Sequence, residues 1–158
     1  MATALQNFSQ YNKDLVPDAS GLRIGLVVAQ WNDEITLALY QGAYDTLLLH
    51  GVLPSDIITY QVPGSFELPF GASKMIEKHA PNAVVVIGSV IQGETKHFDF
   101  VCQATAQGVM NLNTQTETPV IFCVLTDNNW QQAKDRSGGK HGNKGVEAAV
   151  AAIQMGML

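Results

Sequence analysis

The chain has 158 residues, enough for one domain with a sizeable buried core. Charged residues make up 15% of it, against about 25% in typical soluble domains, so part of its surface is expected to be covered by other subunits. The net charge of −5 weighs against non-specific nucleic-acid binding, which needs a basic face.

Residues 1–20 are polar, with Leu5, Phe8, Tyr11 and Leu15 scattered among them. They are expected to form an N-terminal arm, either disordered or ordered against a neighbouring subunit. They lack the basic-then-apolar pattern of a secretory leader, and no apolar run approaches the roughly 18 residues of a membrane span. A soluble cytoplasmic protein without membrane contact is therefore expected. Cys102 and Cys123 have no Cys-x-x-Cys spacing and read as reduced, buried thiols. A single domain is expected over residues 21–158.

An apolar run over 22–29 predicts the first core strand. Trp31 follows at its C-terminal end, either as a rim aromatic or as a stacking surface for a planar ring. Asn32 or Asp33 is expected to cap the next helix, whose stripe is Ile35, Ala38, Leu39, Gly42, Ala43 and Leu47. His50 and Gly51 end it. A second strand is predicted over 57–62, followed by the turn Pro63-Gly64. Ser65 is expected to cap a helix with Leu68, Ala72, Met75 and Ile76 inside. Glu67 is either a partner for the helix dipole or an acceptor for a polyol or amine.

The third strand is predicted over 83–87. It leads into a polar turn holding Gly93, Glu94, Thr95 and His97, then into a helix from Thr95 striped by Val101, Ala104, Thr105, Gly108, Val109 and Leu112. A strand-to-helix turn in an open α/β sheet is where ligands bind, and the N–H groups of the new helix favour an anion there. A fourth strand is predicted over 119–125, with Phe122 inside it. A short helix over 130–136 is expected to be capped from residues 126–129. Residues 136–145 carry four glycines together with Arg136, Lys140, His141 and Lys144. They read as a helix–helix hinge or as a phosphate clamp, for which the planar fork of Arg136 is best suited. Val146, Ala149, Val150 and Ile153 stripe the last helix.

Four strand–helix repeats predict an α/β fold: a three-layer α/β/α sandwich on a central four-stranded parallel sheet, flavodoxin-like. Trp31, residues 63–67, residues 88–97 and the chain from Thr126 would share one sheet edge. No metal-ligand spacing stands out, and no Gly-x-Gly-x-x-Gly or Gly-x-Ser-x-Gly is present. A helix-start histidine, a strand-end aromatic and a basic loop suit proton transfer on a planar, polyhydroxylated or phosphorylated small molecule.

Four stretches, in order, give the chain a family resemblance. They are Val62-Pro-Gly-Ser-Phe-Glu-Leu-Pro69, the stretch from Gly88 to Val101, Pro119-Val-Ile-Phe-Cys-Val-Leu-Thr126, and the stretch from Gln132 to Gly145. Over about Leu22 to Met155 the chain resembles the lumazine synthases of riboflavin biosynthesis. The resemblance implies condensation of 5-amino-6-(ribitylamino)uracil with 3,4-dihydroxy-2-butanone 4-phosphate, giving 6,7-dimethyl-8-ribityllumazine, phosphate and water, with no metal or organic cofactor. It implies His97 as general acid/base and Trp31 as the stacking face on the pyrimidine. Ser65, Phe66 and Glu67 would hold the ribityl chain and its amine, and Ser89, Val90 and Ile91 the pyrimidine edge. Glu94 and Thr95 would offer N–H groups to the phosphate, while Arg136 and Phe122 would come from an adjacent subunit.

Two departures from the family pattern fall at the phosphate: Gln92 stands where a basic residue is common, and Glu94 adds a carboxylate. The resemblance also implies a homopentamer. The short form of the loop over 136–145 matches members that assemble twelve pentamers into a shell. The competing reading is a non-catalytic flavin- or lumazine-binding protein, or an inactive shell protein, on the same scaffold.

Overall fold

In a computed structural model, residue 7 and residues 9–158 are described. The elements run β1 Ile24–Ala29, α1 Asp33–Leu49, β2 Ile57–Val62, α2 Leu68–His79, β3 Ala83–Ile91, α3 His97–Gln115, β4 Val120–Asp127, α4 Trp130–Arg136, β5 Ser137–Gly139, β6 Gly142–Asn143 and α5 Lys144–Met155. β1 to β4 form one parallel sheet in the order β2-β1-β3-β4. This is the α/β three-layer fold expected from alternating strand and helix patterns.

Strand alternation sends the core in two directions. Leu26, Val28, Val85, Ile87, Cys123 and Leu125 pack against α1 and α5 through Ile35, Leu39, Leu47, Ala149 and Ile153. Val27, Ala29, Val84, Val86 and Val124 pack the opposite way, against Leu68, Ala72 and Met75 of α2 and Val109 of α3. A strand covered on both faces reads as a continuous apolar run, and β1 is buried at all six positions. β2 lies at the sheet edge and is buried only at its ends, Ile57 and Val62, with half-buried Ile58 and Tyr60 and exposed Thr59 and Gln61 between them.

Several boundaries differ from expectation. β3 continues four residues past Ile87, because Gly88 to Ile91 pair with Val124 to Asp127 of β4, which is correspondingly longer. α3 starts at His97 rather than Thr95. Asn32 does not cap α1 with its side chain, and Ser65 lies in a single 3-10 turn, Ser65–Glu67, ahead of α2. Ala104 of the expected α3 stripe is exposed. Residues 136–145 are not a plain hinge. β5 and β6 form a small antiparallel hairpin, and Gly142 sits at φ +79°, in the region that suits glycine. Cys123 is buried and burial pushes its thiol up to about 12, but Cys102 is only half-buried.

Of the expected arm, residues 1–6 and Phe8 lie outside the described residues. Residues 9–20 lie against their own chain. Val16 and Ala19 enter the core, the Ala19 N–H donates to the His50 carbonyl at 2.8 Å, and the Tyr11 hydroxyl meets His50 Nε2 at 2.9 Å. Among the described residues, no helix is long and apolar enough to cross a membrane.

Candidate active site

The strand order reverses between β1 and β3: the chain steps from β1 out to β2, then returns to β3 and continues to β4. Crevices at the carboxyl ends of strands around such a reversal are where open α/β sheets bind ligands. A cleft of about 630 Å³ opens there, within the usual range for small-molecule sites.

Its walls come from four segments. The end of β1 supplies Trp31 and Asn32, and the turn between β2 and α2 supplies Gly64, Ser65, Phe66 and Glu67. The end of β3 supplies Ser89, Val90 and Ile91. The turn and α3 supply Gly93, Thr95, His97, Phe98, Phe100 and Val101. Trp31 is 73% exposed and Phe66 61%, so two aromatic faces stand open at the rim instead of being used in the core.

The rim is held by main-chain and amide hydrogen bonds. The Gln30 and Trp31 N–H groups donate to the Val62 and Pro63 carbonyls at 2.8 and 3.1 Å, tying the end of β1 to the end of β2. Asn32 adopts φ 59°, ψ 48°, a left-handed conformation uncommon outside glycine. Its side-chain amide donates to the Ser89 carbonyl at 2.9 Å, which fixes Trp31 against the end of β3. Across the cleft floor, the Thr105 hydroxyl lies 3.1 Å from the Ser65 carbonyl and 2.8 Å from the Val101 carbonyl, joining α3 to the turn ahead of α2. Gly88 is a required small residue. A Cβ there would stand 2.5 Å from Ser65 Oγ and 2.9 Å from Leu68 Cδ1.

No side chain caps α3 at Lys96. The first N–H groups and positive dipole end of a 19-residue helix therefore face the turn containing Gly93 and Thr95. Thr95 Oγ1 accepts a long bond from the His97 N–H, 3.4 Å. His97 is the first residue of the helix, and its imidazole is exposed into the cleft. The arrangement can hold an anion at the helix start, a planar ring against Trp31, and a proton-transfer group between them.

Nine of the twelve residues expected at the site line this cleft: Trp31, Ser65, Phe66, Glu67, Ser89, Val90, Ile91, Thr95 and His97. Three do not. Glu94 lies in the exposed turn but not in the lining. Phe122 is on β4, on the face that Val120 and Val124 turn toward α2 and α3, and is 38% exposed. Arg136 ends α4, its Nη1 donating to the Gln132 carbonyl at 3.0 Å and lying 3.7 Å from Asp127 Oδ1. Asn32, Gly64, Gly93, Phe98, Phe100 and Val101 also line the cleft and were not among the expected site residues. Asn32 carried the signal of a helix cap, and its hydrogen bond to the Ser89 carbonyl shows that its amide serves β3 instead. Among the described residues, no group of three His, Cys, Asp or Glu side chains is placed to hold a metal ion.

The family described as 6,7-dimethyl-8-ribityllumazine synthase matches residues 21–158. A protein of that name from Flavobacterium johnsoniae is 58% identical over 158 residues, covering 100% of this chain and 83% of its own length. One from Christiangramia forsetii is 56% identical over 159 residues, covering 100% of this chain and 95% of its own. One from Porphyromonas gingivalis is 51% identical over 158 residues, covering 100% and 98%. The chain belongs to the 6,7-dimethyl-8-ribityllumazine synthase family.

Proposed function

We propose that the cleft at the ends of β1 and β3 is where this enzyme of riboflavin biosynthesis condenses 5-amino-6-(ribitylamino)uracil with 3,4-dihydroxy-2-butanone 4-phosphate. The observation that carries the assignment is one cleft lined by an open Trp31, the Ser65–Glu67 turn and His97 at the start of α3. Trp31 stacks on the pyrimidine, whose edge meets the main chain of Ser89, Val90 and Ile91. Ser65, Phe66 and Glu67 take the ribityl chain and its amine. The phosphate of the second substrate sits at the start of α3, on N–H groups of the Glu94-Thr95 turn.

The pyrimidine amine attacks the ketone and water leaves. Phosphate is then eliminated, and the second amine closes the ring with loss of water. Each step moves a proton, and histidine, whose ordinary titration lies near neutral pH, serves in both directions. Holding both reactants in one cleft supplies much of the acceleration.

The site is completed between subunits, with Arg136 and Phe122 reaching the cleft of an adjacent copy. Both lie outside the cleft of their own chain, and Phe100 and Met110 stand 69% and 58% exposed on α3, an apolar face suited to a neighbour. We read the assembly as a homopentamer, with the short hairpin of β5 and β6 compatible with closed shells of twelve pentamers. Two free thiols fit a cytoplasmic location.

The test is complementation. His97→Ala and Arg136→Ala chains are each expected to be impaired alone, assayed by absorbance of the lumazine product. Mixed assemblies of the two should recover about a quarter of wild-type activity, because random pairing leaves that share of inter-subunit sites intact. Recovery no better than the sum of the parents would place both residues in one chain's site and overturn the shared-site reading. Light scattering that finds only five-subunit particles would remove the shell.

A further inference from the structure

We infer that Asp127 is a counter-charge that competes with the bound phosphate for Arg136, and so sets how tightly the anion is held and how readily it leaves. The inference rests on the reading of Arg136 as the phosphate clamp. Asp127 is the last residue of β4, and its side chain is 7% exposed. Buried carboxylates ordinarily recruit hydrogen-bond donors to both oxygens. Here Oδ2 has no partner among the described residues, and Oδ1 has only the Arg136 guanidinium, at 3.7 Å. That distance is too long for a hydrogen bond but short enough for a strong charge interaction in a partly buried place.

The guanidinium is held elsewhere. Nη1 donates to the Gln132 carbonyl one turn earlier in α4, at 3.0 Å, and neither Nε nor Nη2 makes a hydrogen bond among the described residues. A bidentate carboxylate would lock the fork and use up its donors. This contact does neither, so Arg136 keeps donors for a ligand while Asp127 pulls on its charge. From the carboxylate side the same pair is visible: burial pushes the Asp127 carboxyl up, and Arg136 draws it back down. The structural work at this position is done by the main chain, whose carbonyl accepts from the Gln92 N–H at 2.9 Å and ties β4 to the turn after β3. That leaves the side chain's charge without a structural task, opposite a residue that binds an anion. Asp127 thus acts through Arg136 and is a positioning residue.

The test uses Asp127→Asn, which keeps shape and removes charge, with Asp127→Ser as a second variant read the same way. KM for the butanone phosphate and the competitive inhibition constant for inorganic phosphate should fall together by about 3–10-fold, as expected for removal of an opposing charge near a binding cation. KM for the pyrimidine should stay within about twofold, since no charge near Trp31 or Glu67 changes. In an Arg136→Ala background the effect should vanish. Phosphate constants that stay put or rise, or a fall that persists without Arg136, would overturn the inference. If Arg136→Ala itself leaves phosphate inhibition unchanged, the clamp reading fails. If Arg136→Ala weakens phosphate and the Asp127 variants do not tighten it, only the role of Asp127 fails.

Discussion

The ends of β3 and β4 lie side by side in register, Ile91 opposite Asp127, yet only the β3 end lines the cleft of its own chain. β3 ends inside its own chain's cleft: Ser89, Val90 and Ile91 line it, and the Ser89 carbonyl anchors Asn32. β4 ends in a carboxylate that faces Arg136 and contributes nothing to that cleft. On the shared-site proposal, the β3 end works within its own chain and the β4 end works, through Arg136, on the cleft of an adjacent copy.

The largest break in that comparison comes from the β3 side. His97→Ala is expected to lower kcat by about 10²-fold, at the low end for loss of a general acid/base, because proximity of the two reactants survives. Riboflavin or product-analogue binding should be nearly unchanged. Turnover indistinguishable from the uncatalysed background, with binding intact, would give the imidazole more of the chemistry than the cleft can account for.

A smaller effect tests whether the β3 end is close-packed against the Ser65–Glu67 turn proposed to hold the ribityl chain. Gly88→Ala places a methyl group 2.5 Å from Ser65 Oγ and 2.9 Å from Leu68 Cδ1. Ser65 is 5% exposed and Leu68 fully buried, so neither has room to retreat without moving the turn. Overpacking of this kind costs about 1–3 kcal/mol. We expect a lowered Tm together with a raised KM for the pyrimidine, and no change in phosphate inhibition. A stable variant with normal pyrimidine KM would show that the turn gives way freely.

The same division explains what could be read from sequence. The parallel sheet was legible because β1 and β3 are apolar at nearly every position, the pattern of strands buried on both faces. Trp31, Glu67 and His97 were legible because each follows a strand end in a sheet whose direction was already known. The extension of β3 to Ile91 was not, since Gly88 and Ser89 look like turn residues and stay in the sheet only because β4 pairs with them. Asn32 looked like a cap for the same local reason, while its left-handed backbone is imposed by a partner 57 residues away. The hairpin of β5 and β6 was hidden by glycines that, in one dimension, resemble a hinge. Asp127 read only as one of the capping residues 126–129 after a strand ending at Leu125, and its carboxylate becomes meaningful only once Arg136 is seen opposite it.

The smallest predicted effect sharpens the β4 side. α4 has seven residues and carries Arg136 at its end, so its order depends heavily on its cap. Asn129 Oδ1 accepts from the Gln132 N–H at 3.0 Å, and Gln132 Oε1 returns an acceptor to the Asn128 N–H at 2.9 Å. Gln132 is also the residue whose carbonyl holds Arg136. Asn129→Ala removes the cap, worth about 1 kcal/mol, and should lower Tm by about 2–4 °C for a chain of this size. If the β4 end serves the phosphate through α4, the variant should also raise KM for the butanone phosphate by about twofold, since the fork of Arg136 is held less firmly for the anion. The pyrimidine KM should not move, because Asn129 is not among the residues that line the cleft. A pyrimidine KM that moved instead would mean that the two strand ends are coupled within one chain, and that the division between them is not a division of labour.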